Sequence, residues 1–172
     1  MEPRIIAARL LVSAVLCLLA ATGRSQELEV DGYRLGERID VALADPRYDC
    51  DGASACLLYT VCTRKGEPAL SFAGVPLGSV KLHFAGERLS AIEAQFAQDR
   101  FDQLAEAMLR EHDLPQATSD EDSRRVQGTA PNTVYLWRDG PRVLRLERQF
   151  RDTGRSSLIL SERSFLGELL QR

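Results

Sequence analysis

The chain has 172 residues, 44% apolar and 27% charged, and its 25 acidic groups outnumber 22 basic ones to leave a net charge of −3. This mildly acidic, mixed composition gives no global attraction to nucleic acid, which needs a basic face. With four cysteines and two histidines, the ligands for metal or thiol chemistry are few.

Arg4 and Arg9 flank Ile5 and Ile6, and an apolar run from Leu10 to Ala21 precedes the polar stretch GRSQE. That order is the pattern of a secretory signal peptide over residues 1–25, with cleavage expected between about residues 23 and 25. The run is too short to cross a bilayer of ~30 Å as a helix, so no stable membrane anchor is expected after cleavage. Cys17 would leave with the signal, and Leu16 before it argues against a lipid-modified cysteine. The signal also removes three of the 22 basic and one of the 25 acidic groups, which takes the net charge to about −5. The remaining residues, 26–172, suit one domain with its own core. Export would place them where disulfides persist, in the periplasm or outside the cell.

In chain order, LGERIDVALADP is expected to form a short helix ended by Pro46, since the residue before a proline disfavours helix. ACLLYTVCT and PALSFAG, joined by the turn-like RKGEP, read as a first hairpin. In VKLHF, Val80, Leu82 and Phe84 share one face while Lys81 and His83 share the other, and AGER turns the chain into LSAIEAQF as a second hairpin. Phe101, Leu104, Ala105, Met108 and Leu109 recur at helical spacing between Asp99 and His112, with Pro115 closing the helix. Residues 116–132 are polar, without an apolar period, and are expected to be a connecting loop, with a partner-binding loop as the alternative. TVYLWR and RVLRLERQF form a third hairpin around DGP; SSLILSE is the last strand, and SFLGELLQR a terminal helix. Together these elements predict an α+β domain, a largely antiparallel sheet packed on one face by one long and one or two short helices.

Chemistry is concentrated in YDCDGASACLLYTVC, where Cys50, Cys56 and Cys62 recur every six residues. No histidine lies nearby to complete a zinc site. DCDG resembles part of a calcium loop, but Arg47 and Leu58 stand where ligands are needed, so Asp51 and Gly52 read as a turn. If ACLLYTVCT is one strand, Cys56 and Cys62 lie ~20 Å apart, beyond the ~7 Å that a disulfide spans. Cys50 is then the shared partner. The turn favours Cys50–Cys56, with Cys50–Cys62 as the alternative, and the leftover thiol, Cys62 in the favoured pairing, is expected to be a small buried hydrophobe.

His83 shares a polar face with Lys81 and is expected to be solvated, and His112 is expected to serve the end of its helix. DTG at residues 152–154 carries the tripeptide of aspartic proteases, which use paired carboxylates; it lacks a second copy, and a turn is the favoured reading. No nucleophile elbow, phosphate loop or HExxH motif is present, and no cofactor, metal site or catalytic residue is assigned. Tyr135 and Trp137 share one strand face, and Arg142, Arg145 and Arg148 follow among further arginines. These five residues are a candidate binding face for an envelope protein or an anionic glycan; the competing reading is a solvated, charge-protected sheet.

LSFAGVPLGSVKLHFAGERLSAIEAQF and the following helix with Phe101, Leu104 and Leu109 resemble a pattern of small exported proteobacterial proteins of uncharacterised function. The resemblance covers about a third of the chain and implies fold and compartment, with no catalytic residue to carry over. The expected function is therefore a non-catalytic secreted or periplasmic binding or accessory protein, of which an inhibitor or immunity-type module is one form. The alternative is a small exported enzyme dependent on a thiol, through Cys62, or on carboxylates gathered by folding.

Overall fold

Alternation of side chains decides this fold. A computed structural model describes residues 28–51, 58–66, 70–112, 114–119, 132–150 and 153–171; the expected signal peptide and Cys56 lie outside them. Helix α1 is Ile39–Ala44, α2 is Phe101–Glu111 and α3 is Arg163–Gln171. The strands are β1 Tyr48–Asp51, β2 Tyr59–Arg64, β3 Ser71–Phe72, β4 Val75–Ala85, β5 Arg88–Ala97, β6 Ala117–Ser119, β7 Val134–Asp139, β8 Arg142–Glu147 and β9 Arg155–Glu162. They make one antiparallel sheet in the order β1-β2-β4-β5-β9-β8-β7-β6, with β3 paired to β4. The protein is thus an α+β fold built on an antiparallel sheet.

The first hairpin differs from expectation. β2 pairs with β1 on one side and β4 on the other, whereas β3 folds back onto β4. The reason is the two-residue turn Ala73–Gly74, where both residues have positive φ (48° and 77°), the geometry that closes a tight hairpin. Residues 116–132 are also not all connector, since Ala117–Ser119 adds an edge strand to β7. The β4–β5 and β7–β8 hairpins and β9 form as the sequence predicts.

Val80, Leu82 and Phe84 of β4, Ile92, Ala94 and Phe96 of β5, and Leu158 and Leu160 of β9 all face the main core. The amphipathic α2 closes that core with Phe101, Leu104, Ala105 and Met108. Ala91 and Ile159 point the opposite way, where Phe165 and Leu169 of α3 form a second, smaller cluster with Phe150. Central strands β5 and β9 are consequently buried on both faces. Two carboxylates pin the N-terminal segment to this frame. Asp31 accepts from Tyr48 Oη (2.7 Å), Arg64 Nε (2.7 Å) and Arg47 Nη1 (3.0 Å), and Asp45 accepts from Tyr33 Oη (2.9 Å) and Arg47.

Candidate functional site

The second sheet face carries the polar residues that alternation removes from the main core. Three cross-strand rows run over it: His83 opposite Ala91 opposite Ser161; Lys81 opposite Glu93 opposite Ile159 opposite Arg145; and Gln95 opposite Ser157 opposite Glu147. His83 and Glu93 are both buried, their side chains only 5% exposed. The expectation of a solvated His83 is therefore corrected. The polar face of VKLHF does not meet water at this position, because the face is shared with the cluster under α3, whose Phe165 stacks on Tyr59 with ring centroids 5.8 Å apart.

Tyr59 Oη lies 2.6 Å from His83 Nδ1, and His83 Nε2 lies 3.6 Å from Glu93 Oε2. The first contact is a hydrogen bond. The second is too long for one and acts as an electrostatic attraction. Gln95 Nε2 donates to Glu93 Oε1 at 3.0 Å. Burial alone would raise the Glu93 carboxyl, but the neighbouring His83 and Gln95 side chains and the charge of Lys81 outweigh it and hold the group below the usual carboxylate range. In a neutral imidazole one nitrogen donates and the other accepts. An ionised Glu93 facing Nε2 places the proton there and leaves Nδ1 to accept the Tyr59 hydroxyl proton. The alignment is that of a carboxylate orienting an imidazole that can take a proton from a hydroxyl. His83 Nε2, Ser157 Oγ and Ser161 Oγ are buried without a hydrogen-bond partner among the described residues.

Beyond the buried pair the same face opens. Thr63, Lys81, Gln95 and Arg145 stand half-buried on four different strands around Glu93. Arg145 is paired with Glu147, which also accepts from Asn132 Nδ2 at 2.7 Å.

The sequence-predicted aromatic and arginine face is not one surface. Trp137 is buried and Tyr135 half-buried against the main core, where Tyr135 stacks on Phe101 at 6.0 Å. Arg148 follows them, its guanidinium 4.2 Å over the Phe101 ring and paired with Asp102 of α2. Arg145 projects from the opposite face, and Arg142 sits half-buried beside the β7–β8 turn. The physical reason is that α2 needs an apolar floor, and Tyr135 and Trp137 extend it across β7. His112 lies at the end of α2 as expected, its backbone N–H donating to Met108 O at 2.8 Å and its ring 6.5 Å from Trp137.

The cysteines resolve differently from the favoured pairing. Cys50 bonds Cys62, not Cys56, across directly opposed positions of β1 and β2, with Cα atoms 3.9 Å apart. The antiparallel pairing of β1 with β2 brings these two together. Cys62 is fully buried and oxidised rather than a spare thiol, so it offers no nucleophile. At the DTG stretch, Thr153 Oγ1 donates to Phe150 O at 2.7 Å and Gly154 takes a positive φ of 68°, as a turn requires. Among the described residues, no group of three or more His, Cys, Asp or Glu side chains is placed to hold a metal ion, and no helix is long and apolar enough to cross a membrane.

The half-buried Tyr59 and the buried His83 and Glu93 were missed in sequence, although one signal pointed to them. Glu93 is the only charged side chain in LSAIEAQF, and alternation puts it on the face of Lys81 and His83. A charge inside a strand buried on both faces must be paired. No protein-family model, curated protein or solved structure matches the chain.

Proposed function

We propose that this protein is an exported, non-catalytic binding or accessory protein of the cell envelope, and that it engages its partner with the open part of the second sheet face. The observation that carries the proposal is the convergence of Thr63, Lys81, Gln95 and Arg145 from four strands around an internally paired Glu93. Such side chains are pre-positioned by rigid strands, so binding loses little ordering entropy. Lys81 and Arg145 suit an acidic protein surface or an anionic glycan, and an inhibitor or immunity-type role is one form of this function. The Cys50–Cys62 bond supports export, because disulfides persist outside the cytoplasm.

The experiment is photo-crosslinking of the mature chain in an envelope fraction, with the reactive side chain placed at Lys81 and, as a control, at the exposed Asp49 of β1. A saturable adduct of defined mass from Lys81 alone supports the proposal. Absence of any adduct from Lys81 overturns it. A second reading, a carboxylate-dependent enzyme, is favoured by the Glu93–His83–Tyr59 alignment. Substrate turnover that Glu93→Gln abolishes without unfolding the protein would favour it.

A further inference from the structure

We infer that α3 is a lid, which opens while the sheet stays folded and uncovers the half-buried Tyr59 and, beside it, the buried His83 and Glu93. The inference concerns access to these side chains and holds whichever partner the open part of the face takes. Three observations carry it. First, the two sheet faces are held very unequally. Among the described residues, the main core that α2 closes gathers twenty-three buried side chains and the cluster under α3 five; of those five Phe165 and Leu169 belong to the helix, with Leu166 partly buried against them. Second, the floor beneath α3 is mixed. His83, Ser157 and Ser161 are buried on the same face as Ala91 and Ile159, so closure there removes polar groups from water along with apolar ones.

Third, α3 is weak as a helix. Its nine residues are fewer than an isolated helix needs, and Gly167 sits in its interior, where glycine disfavours helix. Gly167 serves no packing purpose, since an added Cβ would meet nothing within 4 Å. The root of the helix is fastened by Arg163 N–H donating to Pro141 O at 2.7 Å, and its seat by the Phe165 stack on Tyr59. An element with few buried contacts and a fixed root opens locally at less cost than global unfolding. When it does, Tyr59 loses its stacking partner, and the sheet face that it shares with His83 opens.

Hydrogen exchange on the full mature chain, read segment by segment, tests this. The amides of α3 should exchange at least tenfold faster than those of β5 and β9. Gly167→Ala should slow α3 exchange about threefold to fivefold, the effect of glycine against alanine within a helix, and leave the sheet unchanged. Phe165→Ala should speed it at least tenfold. Modification of His83 by diethylpyrocarbonate, separated from His112 by peptide mapping, should follow the same order. The inference is overturned if α3 is as protected as β5 and β9, or if Gly167→Ala leaves both α3 exchange and His83 modification unaltered. Should Phe165→Ala fail to fold, the Gly167→Ala comparison still decides.

Discussion

Tyr59 and His83 stand on neighbouring strands with the phenolic oxygen 2.6 Å from the imidazole Nδ1, under the ring of Phe165. Replacing Tyr59 with Phe keeps the ring stack and removes only the hydroxyl, which leaves a buried nitrogen unpartnered. The expected loss is about 1–3 kcal/mol of stability, measured by urea unfolding with an unchanged slope.

Acid should destabilise the protein through two carboxylates. Glu93 is held below its usual range by its His83 and Gln95 neighbours, against the opposing effect of burial, and Asp45 is held well below it, chiefly by its hydrogen bonds from Arg47. A lowered folded pKa adds stability that is present above the unfolded value of about 4 and is lost as pH falls through the folded value. Glu93→Gln should therefore flatten the acid limb of a stability–pH curve. Burial, with hydrogen bonds to Asp45 and Asp31, raises Tyr33 and Tyr48. Their contribution is full below about pH 10 and fades at higher pH. An unchanged acid limb in Glu93→Gln would contradict the account of Glu93.

The Cys50–Cys62 bond closes a loop with a sequence separation of 12. Replacing both cysteines with alanine should cost about 3 kcal/mol if loop entropy dominates. Peptide mapping of the oxidised protein should recover Cys50 joined to Cys62 and no fragment joining Cys50 to Cys56.

Trp137→Ala should damage the fold and not a binding surface. The side chain is 7% exposed and packs beside Tyr135 in the main core. A loss of about 3–5 kcal/mol is expected, whereas Arg138→Ala on the exposed side of the same strand should fall within about 0.5 kcal/mol.

Much of the architecture was legible because strand alternation and helical spacing are local. Val80, Leu82 and Phe84 against Lys81 and His83 reveal two faces, and the Phe101 to Leu109 spacing reveals α2. What alternation cannot reveal is what covers each face. His83 looks solvated until α3, about eighty residues later, packs on the sheet face that His83 shares with Ala91 and Ile159. The same limit hid the role of Tyr135 and Trp137, whose side chains share a face but lie under a helix thirty residues earlier. The cysteine pairing failed for a related reason: assigning Cys56 and Cys62 to one strand fixed their separation, but said nothing of how β1 returns to β2. Glu93 carried a signal that the sequence reading did not use, since a charge placed in an apolar strand demands partners.

The arrangement of Tyr59, His83 and Glu93 is tested most directly by the tautomer of His83, read from two-bond proton–nitrogen NMR correlations of the folded protein near pH 8. The account predicts a neutral imidazole with its proton on Nε2, facing Glu93, and Nδ1 accepting from Tyr59. A proton on Nδ1 instead would contradict it, because Tyr59 would then be the acceptor and Glu93 would no longer orient the ring.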